Sequence, residues 1–325
     1  MRRVIEGVLV GLAVVALMGC ATSPKSGDPV TIRIGSPFKE GHILVDAATK
    51  FKEIVEQETG GRIKVVLQVG TESEETINDK NSKGEIEMQS NGHRALEIYA
   101  PKYFFFNAPY VMKDLEHFTR VWNGKLGAAA RVEVEKNGNV KYLGIVYRGL
   151  RQTTANKPLV TPDEVKGLKL RLPTVKTWIA VWKEIGADPV PIPLTELYAS
   201  LKDGRAEASE GDLSQISSFK LQEVQSHLII TNHLVQTGGM MINKTFFDKL
   251  SKGDQRLIVE SVKKACDWAT DKLKKSESSI LDTLKQSMKV VIPNAEAFRA
   301  KGKPAVEQLF KTEWPVTTWE EVLAQ

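Results

Sequence analysis

The chain has 325 residues, with 45 Lys and Arg against 40 Asp and Glu, for a formal charge of +5. That length allows roughly two domains, and the basic residues never gather into a run, which excludes a nucleic-acid-binding arm. Two cysteines, Cys20 and Cys266, exclude a framework of several disulfides, so the fold has to rest on a hydrophobic core.

The chain opens MRRVIEGVLVGLAVVALMGC. Arg2 and Arg3 precede an apolar stretch from Val8 to Met18, the layout of a secretory signal and too short for a comfortable membrane span. Leu17-Met18-Gly19-Cys20 closes it in the pattern of bacterial lipoproteins. The expectation is a signal peptide over 1–19, acylation of the Cys20 thiol by palmitate-type chains, and a polar tether over 20–29. With Cys20 committed to lipid, Cys266 has no disulfide partner. Past the leader, 43 Lys and Arg face 39 Asp and Glu.

TIRIG (31–35) reads as a strand with Ile32 and Ile34 on one side. Residues 42–57 place Leu44, Ala48, Phe51 and Val55 at helical spacing, and Gly60-Gly61 stops that helix. RIKVVLQV (62–69) predicts a second strand, residues 74–84 a second helix and EIEMQS (85–90) a third strand. This β-α-β-α-β order implies parallel strands joined by right-handed crossovers. Ligands in such open sheets gather beyond the carboxyl ends of the strands. Gly35-Ser36-Pro37-Phe38 and Ser90-Asn91-Gly92-His93 occupy those positions. Helices over 113–124 and on to Lys136 lead into VKYLGIVYRG (140–149), a buried strand. A second α/β set follows: KLRL (169–172), a helix over 174–186, DPVPIP (188–193) and a helix over 194–204. The boundary between two lobes is expected near residue 149.

From Ser251 to about Met288 there is no Pro, and Ile258, Val262, Ala265, Ala269, Leu273, Ile280, Leu284 and Met288 recur at spacings of three, four and seven. Ser251 followed by Asp254 supplies an N-terminal cap. A helix of about 37 residues would be about 55 Å long, longer than one small domain. It reads as a strut across both lobes rather than a coiled coil.

Catalytic signatures are missing from the sequence: no G-x-S-x-G, H-E-x-x-H, C-x-x-C, phosphate loop or G-x-G-x-x-G occurs. The histidines at 42, 93, 117, 227 and 233 show no pair at metal-ligand spacing. The expectation is a binding protein with no cofactor and no metal, not an enzyme. One residue type stands out instead. In KLRL, alternation puts Leu170 and Leu172 on one face and Lys169 and Arg171 on the other. The planar fork of Arg171 matches a carboxylate with two parallel hydrogen bonds, which a Lys cannot do.

Several linked stretches carry a resemblance to a known family. These are RQTTANKPLVTPDEVKGLKLRLP (151–173), IGADPVPIPLTELYASLKDGRAEASEG (185–211), FNAPYVMKDLEHF (106–118), KGEIEMQ (83–89) and the long helix. In order and spacing they resemble the substrate-binding proteins of tripartite ATP-independent periplasmic (TRAP) transporters, the DctP-like family. The resemblance implies a two-lobed α/β periplasmic-binding-protein-like fold with a long domain-spanning helix. Lobe I would take 30–148 plus 237–276, lobe II 149–236 plus 277–325, and the spanning helix 251–288. It implies that Arg171 pairs with a ligand carboxylate and Arg151 is a second cleft arginine. TNH (231–233) resembles the branch of sialic-acid binders, which makes His233 a candidate contact beside Asp212. Phe38 and Asn91 fall at the strand ends already noted.

Two departures bear on the ligand. AEASEGD (206–212) replaces a V-D-G-x-E-N-P-like run, so Gly211 stands at the cleft Asn and Asp212 at the usual Pro. Asn91-Gly92 falls where sialic-acid-type relatives place a carboxylate. Both losses predict a less polar organic acid, with Phe38, Tyr103, Phe104, Phe105, Phe106 and the Met240-Met241 pair as candidate apolar walls. The implied partners are the membrane permease subunits, a helical-repeat periplasmic adaptor and the membrane itself through the lipid anchor. The implied location is the periplasm or cell-envelope surface. A lipoprotein scaffold or sensor of the same fold, working through protein contacts, is the alternative.

Overall fold

Alternation in TIRIG becomes β1 (Val30–Ser36), which buries Ile32 and Ile34 completely. The computed structural model describes residues 27–325, so the expected signal peptide and Cys20 lie outside the described residues. The first α/β set continues with α1 (Ile43–Glu58), β2 (Ile63–Val69), α2 (Glu74–Lys83) and β3 (Met88–Asn91), and β1 pairs in parallel with both β2 and β3. Local chemistry sets the helix ends. The His42 side chain caps α1 by accepting from the Leu44 N–H, Ser73 caps α2, and Gly84 closes α2 in the left-handed region.

Helices α3 (Arg94–Tyr99), α4 (Leu115–Asn123) and α5 (Lys125–Gly138) lead into β4 (Val140–Ala155). The second set comprises β5 (Lys169–Leu172), α6 (Lys176–Ile185), β6 (Asp188–Pro191), α7 (Leu197–Lys202), β7 (Ala208–Asp212), α8 (Leu213–Ser218) and β8 (His227–Ile229). The chain then returns through β9 (Val235–Asn243), α9 (Lys244–Lys249), α10 (Lys252–Lys285), β10 (Lys289–Val291), α11 (Ala295–Thr312) and α12 (Trp319–Leu323). Segment 194–204 is shorter in α-helix than its pattern predicts, opening with a single 3₁₀ turn over Leu194–Glu196.

Among the described residues the strands form one sheet in the order β2-β1-β3-β9-β4-β7-β5-β6, with β8 between β4 and β10. Its two wings, β2-β1-β3 and β7-β5-β6, are internally parallel, and the antiparallel pair β9–β4 joins them. β4 does not stop at Gly149 as expected. Val140–Leu150 pairs with β9, and Arg151–Ala155 goes on to pair with β7. The glycine makes a bulge rather than a break: Tyr147 faces Thr237, Gly149 faces Gln236, and Arg148 is the extra residue between them.

Two hydrophobic layers cover the two faces of this sheet. One gathers Phe104–Phe106, Phe118, Trp178, Trp182 and Trp314; the other gathers Phe51, Phe38, Leu197, Ile216 and the buried stripe of α10. The first takes Leu170, Leu172 and Ala208 from the β7-β5-β6 wing, the second takes Ile32, Ile34, Ile63, Val65 and Met88 from the β2-β1-β3 wing, and both reach the joining strand β9 through Met241 and Met240. At 34 residues α10 is about 51 Å long, and it packs on α1, β4 and α8. Its stripe, Ile258, Val262, Ala265, Ala269, Leu273 and Leu284, is the one the spacing predicts.

Candidate functional site

The carboxyl ends of β1, β3 and β5 open on a crevice beside the β9–β4 joint. Phe38 follows β1, Gly92 and His93 follow β3, and Pro173 and Val175 follow β5; all five line a pocket with an empty volume of about 460 Å³. Glu74 from the start of α2, Arg94 and Glu97 from α3, Arg148 and Arg151 from β4, Arg171 from β5 and Trp178 from α6 complete most of its wall. Gln215 of α8, Gln236 of β9 and Asn107 add amides. A groove of about 1230 Å³ between α4 and α10 is larger, but its one lining cation, Arg131, already donates to the Trp122 carbonyl at 2.6 Å.

Four guanidinium groups face the crevice, and three are held by carboxylates. Arg148 donates through Nε (3.1 Å) and Nη2 (2.7 Å) to Asp212 Oδ2. Arg151 clasps Glu210 bidentately through Nε and Nη2 and donates from Nη1 to Gln236 Oε1 at 3.1 Å. Arg94 pairs with Glu75 and Glu97 and reaches over to Thr174, whose hydroxyl also donates to Glu75 at 2.5 Å. That last cluster ties the first wing to the loop after β5. Rings back two of these cations: Arg148 lies 4.5 Å from the Phe38 centroid and Arg151 4.7 Å from that of Trp178.

Arg171 differs. It is 1% exposed, its Nε donates to the Ile192 carbonyl at 2.9 Å, and its Nη2 has no hydrogen-bond partner among the described residues. Burial pushes its pKa down to about 10, so it stays charged at neutral pH. A buried guanidinium with an orphaned donor is costly, and an anion entering the crevice would supply what is missing.

The supporting acids are fixed in their ionised form. Burial alone would raise the pKa of Glu210, but Arg151 and the His233 hydrogen bond reverse this and hold it down at about 2. Asp212 is likewise held well below the usual range by Arg148, against the cost of burial. Three histidines stay neutral because burial opposes their charging: His42 falls to about 4, His93 to about 3, and His233 is also lowered. His233 sits between the Thr231 hydroxyl (2.9 Å) and Glu210 (3.1 Å), so a neutral ring accepts from one and donates to the other. His42 Nε2 stands 3.8 Å from Asp212, beyond hydrogen-bond reach.

Of the residues singled out in the sequence, Arg171, Arg151 and Phe38 line the crevice. Asp212 and His233 stand behind it, holding Arg148 and Glu210. Asn91 turns inward, donating to the Glu74 carbonyl and the Gln89 side chain. Gly211 adjoins Gln215, whose Nε2 lies 2.5 Å from where a Cβ at 211 would sit. Phe104 reaches the crevice, whereas Tyr103, Phe105, Phe106, Met240 and Met241 pack into the core. Arg148, Arg94, Glu74, Gln215, Gln236 and Trp178 escaped sequence reasoning. For Arg148 the signal was present in Gly149, since a bulge there turns positions 148 and 151 to one side. Among the described residues no group of three or more His, Cys, Asp or Glu is placed to hold a metal ion.

Residues 34–313 match the family described as bacterial extracellular solute-binding protein, family 7 (DctP). The chain belongs to that family. It is a DctP-like TRAP substrate-binding protein, α/β and two-lobed, and it works by binding rather than catalysis. It is 26% identical over 297 residues to the sialic acid-binding periplasmic protein SiaP of Vibrio cholerae, covering 90% of this chain and 92% of the relative. A TRAP solute-binding protein of Roseobacter denitrificans, solved with bound L-galactonate, superposes with a TM-score of 0.86 at 27% identity, covering 92% of this chain and all of that one. A Shewanella oneidensis TRAP solute-binding protein, solved with bound succinate, shares the fold with a TM-score of 0.86 at 22% identity, over 91% of this chain and 99% of that one.

Proposed function

We propose that this TRAP solute-binding protein captures a small hydroxylated organic acid in the crevice between its lobes, with Arg171 as the carboxylate receptor. The observation that carries the reading is the orphaned Nη2 of a guanidinium that is 1% exposed and has no carboxylate partner among the described residues. Arg151 stands beside it as a second donor, steadied by Glu210. Phe38, Trp178 and Leu194 offer apolar contact to the carbon backbone of the ligand.

The two departures from the family pattern are offset within the wall. Gln215 fills the space beside Gly211, and Glu74 Oε1 lies 2.7 Å from where a Cβ on Gly92 would sit. An amide and a carboxylate therefore remain available to ligand hydroxyls, which supports a polyhydroxylated acid over the less polar one expected from sequence. Relatives named for sialic acid and solved with L-galactonate fit the same reading. The lobes would close on the acid by hinge motion, and the loaded protein would deliver it to an ion-gradient-driven membrane permease. Acylation of Cys20 would hold the protein at the membrane, since several acyl chains anchor where one is marginal. A helical-repeat adaptor is a further partner of this scheme. Capture is favoured over a scaffold role because a scaffold has no use for an unsatisfied cation in its crevice.

Thermal unfolding tests the proposal with matched compounds, for example galactonate against the neutral galactitol. Saturating acid at about a hundred times Kd stabilises by about 2.7 kcal/mol, a shift of several degrees, and the polyol leaves the midpoint unchanged. Stabilisation by polyols but by no acid would overturn it.

A further inference from the structure

The crevice holds more information about its ligand than the presence of one receptor. Three of its four cations can be matched to carboxylates. Arg148 is taken by Asp212, Arg151 by Glu210, and Arg94 by Glu75 and Glu97. Among the described residues, only Arg171 of the four lacks a carboxylate partner. On the anionic side Glu97 is spent on Arg94, while the side chain of Glu74 makes no hydrogen bond and no ion pair among the described residues and faces the pocket. Its place there depends on Gly92: a Cβ at that position would stand 2.7 Å from Glu74 Oε1, closer than the two atoms tolerate. A site with one open cation and one open carboxylate is built for a ligand with one acid group and a neutral donor elsewhere.

We propose that the crevice selects monocarboxylates whose far end carries a hydroxyl or similar neutral donor, and that Glu74, seated over Gly92, excludes dicarboxylates. This rests on the acid-capture reading and narrows it. A hydroxyl facing Glu74 donates to a charged acceptor, the stronger kind of hydrogen bond. A second carboxylate in the same place meets a like charge inside a wall that screens it poorly, with every neighbouring cation but Arg171 already paired.

Sugar acids supply pairs that differ only at that end: erythronate and meso-tartrate, gluconate and glucarate, galactonate and galactarate. Calorimetric titration at pH 7 with each compound reads the discrimination. In the tightest-binding pair the aldonate is expected to bind at least about tenfold more tightly than the aldarate. In Glu74→Gln, which keeps the shape and removes the charge, that gap should close to about threefold or less, chiefly because the aldarate gains. Gly92→Ala, which pushes the Glu74 carboxylate aside, should narrow it in the same sense and serves if the first variant folds poorly. An aldarate that binds the native protein as well as its aldonate overturns the proposal and leaves acid capture standing. So does a gap that neither variant narrows. Binding of no acid from any pair overturns both.

Discussion

Under the proposed acid capture, a single guanidinium decides what this crevice can hold. Arg171 is buried because its neighbours on β5, Leu170 and Leu172, anchor the strand in the core, and alternation leaves the arginine no direction but the crevice. Among the described residues no carboxylate within bonding reach balances its charge, a cost that an acid ligand would relieve under the proposed reading. Lys at this position would keep the charge and lose the fork. The ammonium could satisfy the Ile192 carbonyl or the ligand as a point charge, but not present two parallel N–H groups to a carboxylate. Charge-assisted hydrogen bonds contribute about 1.5–3 kcal/mol each, so Arg171→Lys should raise Kd by about ten- to a hundredfold in calorimetry. Unfolding stability of the ligand-free variant should hardly fall. An unchanged Kd would remove Arg171 from the site.

At the scale of elements, β4 is the piece that makes two wings into one molecule and also delivers two of the four cations. A regular strand sends residues three apart to opposite faces, yet Arg148 and Arg151 both reach the crevice. The bulge at Arg148-Gly149 resets the alternation, and it depends on Gly149 at φ +92°, where a Cβ would also come within 2.8 Å of Glu277 Oε1. Gly149→Ala should therefore cost about 1–3 kcal/mol of stability through backbone strain and weaken acid binding, because Arg148 and its partner Asp212 lose register. Chemical denaturation and calorimetry on the same variant read both effects; loss of neither would mean that the strand accepts a side chain there and the bulge is incidental. This element also marks the limit of what the sequence tells. KLRL, the α10 stripe and the parallel first wing were legible because each is a local period. Gly149 looked like the end of a strand because a glycine that breaks a strand and one that bulges it read alike. Glu74 and Gln215 were illegible for another reason: each matters only because a glycine distant in sequence or one turn away leaves room for it, and that is a property of packing.

Across the whole molecule the seam between the wings is a layer of buried charge, and three neutral histidines lie within it. Arg94, Glu75 and Thr174 close its outer edge, and His42, His93 and His233 sit inside. In the unfolded chain a histidine takes up its proton near pH 6.5, whereas burial holds His42 neutral to about 4 and His93 to about 3. Between those values the unfolded state binds more protons than the folded one, so stability must fall as the pH falls, starting below about 6.5 and not above it. Below the ordinary carboxylate range a second loss sets in, since Glu210 stays ionised to about 2 in the fold and stability is lost as it and Asp212 are forced to protonate. Denaturation between pH 8 and 4.5 should show a plateau down to about 6.5 and then a decline on the order of a few kcal/mol by pH 4.5. Acid affinity should behave differently. Arg148, Arg151 and Arg171 keep their charge over the same interval, as do Glu210 and Asp212, whose carboxyls are held below the usual range, and so does a ligand carboxylate, so Kd should stay level while the fold weakens. A Kd that rose or fell in step with stability would mean that the histidines charge in the folded protein and that the seam is open to water.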